Sequence, residues 1–243
     1  MPIQGGKWFP RSATPDSRRL LLTRAMRGFA DGAVSILLPS YLTLAGFSAA
    51  QIGAIVFGTL LGSAVLTLWV GLASHRIGRR PTLLGAATLM LATGAGFFFA
   101  RSFWLLFVVA VVGTLNPSAG DVSLFLPVEQ AALAETVAGS DLTAMFALYN
   151  VAGAGAGALG ALASGAPALA VAHLGWSLTA AQRMGFAVYS LVAVAAAIVY
   201  LGLSTAVEVE RPPSDRKPLE RSRAIVLRLS ALFSLDAFGG GFV

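Results

Sequence analysis

"GLASHRIGRR", residues 71–80, ends a run of more than twenty uncharged residues by setting Arg76, Arg79 and Arg80 around Gly78. About 20 apolar residues carry a helix across the hydrocarbon core of a bilayer. The last part of the run, residues 51–73, therefore has the length of one crossing, and the arginines mark its return to water. The composition of the whole chain agrees. Of 243 residues, 56% are hydrophobic and 12% charged, with a mean hydropathy of +0.77. Soluble domains carry about 25% charged residues, and a soluble chain this apolar would lack the polar surface to cover its core.

Working outward from residue 71, six stretches have the length of crossings: about 21–45, 51–73, 81–100, 103–126, 143–170 and 183–205. A seventh begins near Ala224, and the sequence stops inside it at Val243. Between the sixth and seventh lies "EVERPPSDRKPLERSR", residues 208–223, polar and proline-bearing, a linker rather than a packed element. The expected organisation is a cytoplasmic segment over 1–19, a six-helix bundle over 20–205, a cytoplasmic linker over 206–223 and the start of a seventh helix over 224–243. No short apolar stretch with a small-residue cleavage site is seen near the N-terminus, so no removable signal peptide is expected.

The basic residues give an orientation. Lys7, Arg11, Arg18, Arg19 and Arg24 precede or open the first helix, and Arg76, Arg79 and Arg80 separate the second from the third. Six more, from Arg211 to Arg228, occupy the linker and the start of the seventh. That puts 14 of the 17 Lys and Arg residues on one side, leaving Arg101 and Arg183 opposite and Arg27 within the first helix. The positive-inside rule then places the N-terminus and linker in the cytoplasm. Residues 127–142 should also be a cytoplasmic loop, although they carry Glu129, Glu135 and Asp141 and no Lys or Arg. Acidic residues contribute little to the rule. An internal repeat is hinted at by "FADGAVS" (29–35) and "SLDAFGGGFV" (234–243), which place Asp31 and Asp236 205 residues apart. That is about the length of a six-helix half.

At its position between the second and third crossings, "GLASHRIGRR" is similar to the loop signature of the major facilitator superfamily, G-x-L-a-D-R-x-G-R-K/R. Gly71, Arg76, Gly78, Arg79 and Arg80 fall on its marked positions, and His75 stands where the family has Asp. The resemblance implies an all-α polytopic membrane protein: the six-helix N-terminal bundle of such a transporter, with a truncated seventh helix. It implies a missing C-terminal half, a substrate site shared between halves, and a loop that helps lock one access state. The residues carry their own physical reading. Gly71 at a helix end permits close approach of a neighbouring helix, and Gly78 can adopt the positive φ of a tight turn. The arginines either anchor topology or pair with a carboxylate or helix C-terminus on the partner bundle. His75 is either a solvated histidine or a pH-sensitive part of the latch.

Charges within a membrane helix usually face one another or a cavity. In "RAMRGFADG", Arg27 and Asp31 are four apart and share a helix face. They form either a neutralised structural pair or a site in which Asp31 exchanges the coupling ion, with Gly28 and Gly32 leaving room for water or substrate. In "GTLNPSAGDVSLFLP", Pro117 breaks the helix and Asn116 and Asp121 add polar groups, a combination tolerated where protein or a cavity satisfies the backbone. The arginine common in helix four of proton-coupled members is absent there. In "YNVAGAGAGALGALASGAP", Gly153, Gly157 and Gly160 make a close-packing face, while Tyr149 and Asn150 are candidates to line a cavity.

No zinc-protease, phosphate-loop or dinucleotide pattern occurs. There are no cysteines, and the histidines His75 and His173 lie far apart. No enzyme, metal, cofactor or nucleic-acid partner is expected. The function expected of the complete protein is secondary transport of a small solute, driven by H⁺ or Na⁺, in a bacterial cytoplasmic membrane. A non-transporting fragment and a membrane scaffold or assembly protein stand as alternatives.

Overall fold

The computed structural model describes residues 10, 12–115, 123–208 and 223–240, with backbone alone at 72–76, 223 and 236–240. Among these residues the regular structure is entirely helical. The helices are α1 (Pro15–Leu44), α2 (Ala49–Ile77), α3 (Arg79–Phe99), α4 (Phe103–Val112), α5 (Leu126–Glu135), α6 (Leu142–Ala163), α7 (Ala166–Leu174), α8 (Leu178–Leu201) and α9 (Arg223–Gly240). Two compact units divide the chain after Val209. The first holds α1–α8. In the second, α9 is an 18-residue helix whose Ala224–Leu235 portion is apolar.

Among the described residues, four segments are long and apolar enough to cross a membrane: Ala49–Gly71, Arg79–Phe99, Gly139–Leu174 and Leu178–Leu201. The protein is an integral membrane protein, and its outer surface shows it. Leu162 is 77% exposed and Phe99 75%, a surface that suits lipid and not water. α1 has the length to cross at 30 residues, but Arg24, Arg27 and Asp31 interrupt its apolar run. Thr14 caps α1 by accepting from the Ser17 N–H at 3.2 Å, with Pro15 at the first helical position. The helix thus starts ahead of the stretch that reads as apolar.

Two expected crossings are interrupted. In the stretch 103–126 the first helix ends at Val112, where the chain turns extended at Gly113. A side chain on Gly113 would collide with Thr93 of α3, and the Thr93 hydroxyl accepts from the Thr114 N–H at 3.3 Å. The stretch 143–170 is two helices, α6 and α7, parted at Ser164 and Gly165. Pro167, which has no N–H to donate to the preceding turn, starts the second. Residues 127–135, read as part of a loop, belong to the helix α5.

Within the bundle α1 packs against α6 and α8, α3 against α8, and α2 against α4. One end of the core is aromatic. Phe186 stacks on Phe97 and meets Tyr41 edge-on, each with ring centroids 5.3 Å apart.

Candidate functional site

Among the described residues, three features of the bundle hold the sequence-predicted site residues. The first is a groove of about 420 Å³ between α1 and α6. Asp31, Arg24, Ser35 and Asn150 supply its polar lining, and the rest is glycine and alanine. Asp31 makes no hydrogen bond or ion pair with another described residue. The guanidinium of Arg24 lies 5.3 Å from the centroid of the Tyr149 ring. It rests against Gly153, where any side chain would collide with it.

Gly28 and Gly32 line this groove beside Asp31, and they also let α1 approach the backbone of α6. A Cβ at Gly28 would come within 2.5 Å of the Gly153 carbonyl, and one at Gly32 would strike the carbonyl of Gly157. Gly160 in turn lies against the Phe29 carbonyl. The small face of α6 thus meets a matching small face on α1, in the manner of close helix pairs in membranes.

The second feature is a buried charge cluster where α1, α5, α6 and α8 meet. Arg27 forms its ion pair with Glu129, not with Asp31. Both are almost without exposure, at 1% and 0%. The Glu129 carboxylate also accepts from the Thr23 hydroxyl at 2.7 Å and from the Tyr149 and Tyr200 hydroxyls at 2.5 Å each. The Arg27 guanidinium lies 4.1 Å from the centroid of the Phe125 ring and donates to the Ser123 hydroxyl at 3.3 Å. Glu129 is therefore no solvated loop residue. Tyr149 is likewise buried in this cluster and does not line the groove; its neighbour Asn150 does.

The third feature is the turn between α2 and α3. The backbone of α2 is helical through Ile77, so His75 and Arg76 belong to its last turn and the connection is Gly78 alone. Gly78 sits at φ +98°, ψ 153°, a region essentially open only to glycine. The Arg79 and Arg80 N–H groups, which begin α3, donate to the Glu208 carboxylate at 2.7 and 2.9 Å. The Arg79 guanidinium donates to the Val207 carbonyl at 2.9 Å and stands 3.5 Å from Glu135. Arg80 donates to the Leu201 carbonyl, at the end of α8, at 2.5 Å. Both arginines are thus held within their own bundle. Gly71 has no atom of a described residue within 4 Å of where its Cβ would stand, so among the described residues no helix makes the close approach expected there.

Asn116 and Asp121 lie outside the described residues, as do the side chains of His75, Arg76 and Asp236. Among the described residues no group of three or more His, Asp and Glu side chains is set to hold a metal.

A family model described as Major Facilitator Superfamily matches residues 20–243. The chain belongs to that superfamily. It is also similar to a yeast protein (Saccharomyces cerevisiae) described as Uncharacterized membrane protein YJR124C, with 24% identity over 266 residues. The alignment covers 96% of this chain and 59% of the yeast protein, so the chain spans about three fifths of that relative's length. For a major facilitator bundle, the turn around Gly78 is where the signature resembles the family, and the structure adds Glu208 to it. The Arg27–Glu129 cluster has no such sequence signature. Its one hint is that an intramembrane arginine needs a carboxylate, and Asp31, only four residues away, seemed to supply it.

Proposed function

We propose that the complete protein is a secondary active transporter that moves a small solute by alternating access, with Asp31 as the charge that takes up and releases the coupling ion. One observation carries the reading. Arg27 is neutralised by Glu129 deep in the bundle, while Asp31 keeps its carboxylate on the α1–α6 groove with no hydrogen bond or ion pair to a described residue. An acidic side chain left in that state inside a membrane bundle is suited to binding a proton or cation in turn. Ser35 and Asn150 add hydrogen-bonding groups for a polar solute. The turn at Gly78 is the gate in this reading, and the N-terminus and linker face the cytoplasm on the strength of the Lys and Arg distribution.

The test uses the complete protein in proteoliposomes, with an imposed H⁺ or Na⁺ gradient. Transient currents are recorded against panels of amino acids, sugars, organic acids and organic cations. At least one class should give a current that collapses with the gradient. Asp31→Asn should abolish gradient-driven accumulation of that solute and leave exchange of labelled solute partly intact, because exchange needs no net ion movement. Normal accumulation by Asp31→Asn would remove Asp31 from the role, and silence against every class would count against transport itself.

A further inference from the structure

We propose that a second groove, between the end of α3 and the start of α8, binds the phosphate headgroup of an anionic phospholipid. The groove has a volume of about 700 Å³, with Phe98, Arg101, Trp176, Thr179, Arg183 and Met184 in its lining. It is apart from the α1–α6 groove and shares no residue with it.

Charge identifies the ligand as an anion. Arg101 and Arg183 are the two basic residues at the end of the bundle away from the Gly78 turn, and the fold brings both into this groove. No Asp or Glu occurs between Asp31 and Asp121, or between Asp141 and Glu208, the stretches that contain α2–α4 and α6–α8. No carboxylate from those helices can neutralise the pair. Arg183 lies five residues into α8, about 7.5 Å along the helix axis, where a charge within an apolar span needs a partner or a headgroup. Its Nε donates to the Tyr41 hydroxyl at 3.2 Å, while its two terminal amino groups make no hydrogen bond to a described residue. Those two groups are the planar fork that grips phosphate oxygens.

The setting favours a lipid over a free anion. Phe98, Trp176 and Met184 give the groove an apolar wall on which acyl chains can lie. Arg101 is bracketed in sequence by Phe99 and Trp104, exposed 75% and 73%, aromatic residues of the kind that sit at headgroup depth.

The test is native mass spectrometry of the complete protein, delipidated in neutral detergent and offered dioleoylphosphatidylglycerol or dioleoylphosphatidylcholine. A basic residue near an anionic surface is worth about fivefold in affinity. Wild type should therefore favour the phosphatidylglycerol by on the order of twentyfold for the two arginines. Arg101→Glu should erase most of that preference, and Arg101→Lys should keep it. Arg183→Gln should also lower it; if loss of the Tyr41 contact unfolds that variant, Arg101→Glu, at an exposed position, decides alone. An unchanged preference in Arg101→Glu would overturn the proposal. So would displacement of the bound lipid by millimolar inorganic phosphate, which would mark the groove as a site for a soluble anion.

Discussion

Glu129→Gln is expected to be among the most damaging single-atom changes in this bundle. Glu129 and Arg27 are both almost fully buried, and neutralising one leaves the other as an uncompensated charge. Such a loss costs about 3–5 kcal/mol. For a chain of this size about 2–4 °C of melting temperature accompanies each kcal/mol, so the variant should melt roughly 6–20 °C lower. The charge pair itself need not be what makes the cluster stable. Arg27→Met with Glu129→Leu removes both ions and should recover much of the loss. The Tyr149 and Tyr200 hydroxyls would still lack their acceptor, at about 1–3 kcal/mol for each buried donor left unsatisfied. Adding Tyr149→Phe and Tyr200→Phe should recover that share. Intrinsic fluorescence during thermal unfolding of the purified complete protein reads all of these variants. A Glu129→Gln protein melting within about 1 °C of wild type, as a surface substitution would, would refute the cluster.

The glycine seam gives a second test: Gly160→Ala and Gly32→Ala drive a methyl into the backbone of the opposite helix and should each destabilise by about 1–3 kcal/mol. Gly155→Ala and Gly71→Ala, where a Cβ meets nothing within 4 Å, should be neutral or stabilising, and equal melting of all four would remove the seam. Glu208→Ala should cost about 0.5–2 kcal/mol, as loss of a helix cap does, and appear as faster hydrogen exchange at the Arg79 and Arg80 amides; unchanged exchange there would count against the cap. Asp16, ahead of the apolar part of α1, is pushed up by burial. The Ser204 hydroxyl and N–H, with the Arg19 guanidinium, outweigh this and hold its carboxyl below the ordinary value of 3.8. A lowered folded pKa contributes stability above the ordinary value and loses it as pH falls toward the folded one. Ser204→Ala should therefore destabilise at pH 7 by an amount that shrinks below about pH 4, and a deficit independent of pH would refute the linkage.

The helical membrane architecture was legible because apolar runs of about 20 residues have few other uses. The residues of the Gly78 turn were legible because a glycine among arginines breaks an uncharged run. What the turn is bound to was not, since Glu208 is 129 residues away and sits in a polar stretch that reads as linker. The division of the fourth stretch was readable only in part. Pro117 announced a break, but the helix ends at Val112, where Gly113 meets Thr93 of α3. The hardest residue was Glu129. Its neighbours Leu126, Val128, Ala132 and Leu133 are apolar, yet with Glu135 and Asp141 close behind, the run resembled a short acidic loop. Sequence proximity matched Arg27 with Asp31, whereas the fold matched it with a residue 102 positions on. Asp31's place on the groove follows from that exchange of partners.

Most helices close their first turn with a residue just upstream, so the cap is made before the helix. The cap on α3 comes from Glu208 instead, which is not yet synthesised when Arg79 and Arg80 appear. At about 5–20 residues per second, 129 residues of further translation take roughly 6–26 s. Throughout that interval the first N–H groups of α3 must be satisfied by water or lipid headgroups. The arrival of Glu208, after the last helix of the bundle, ends the wait. The turn at Gly78 is thus completed only by a chain that has already made all the helices of its bundle.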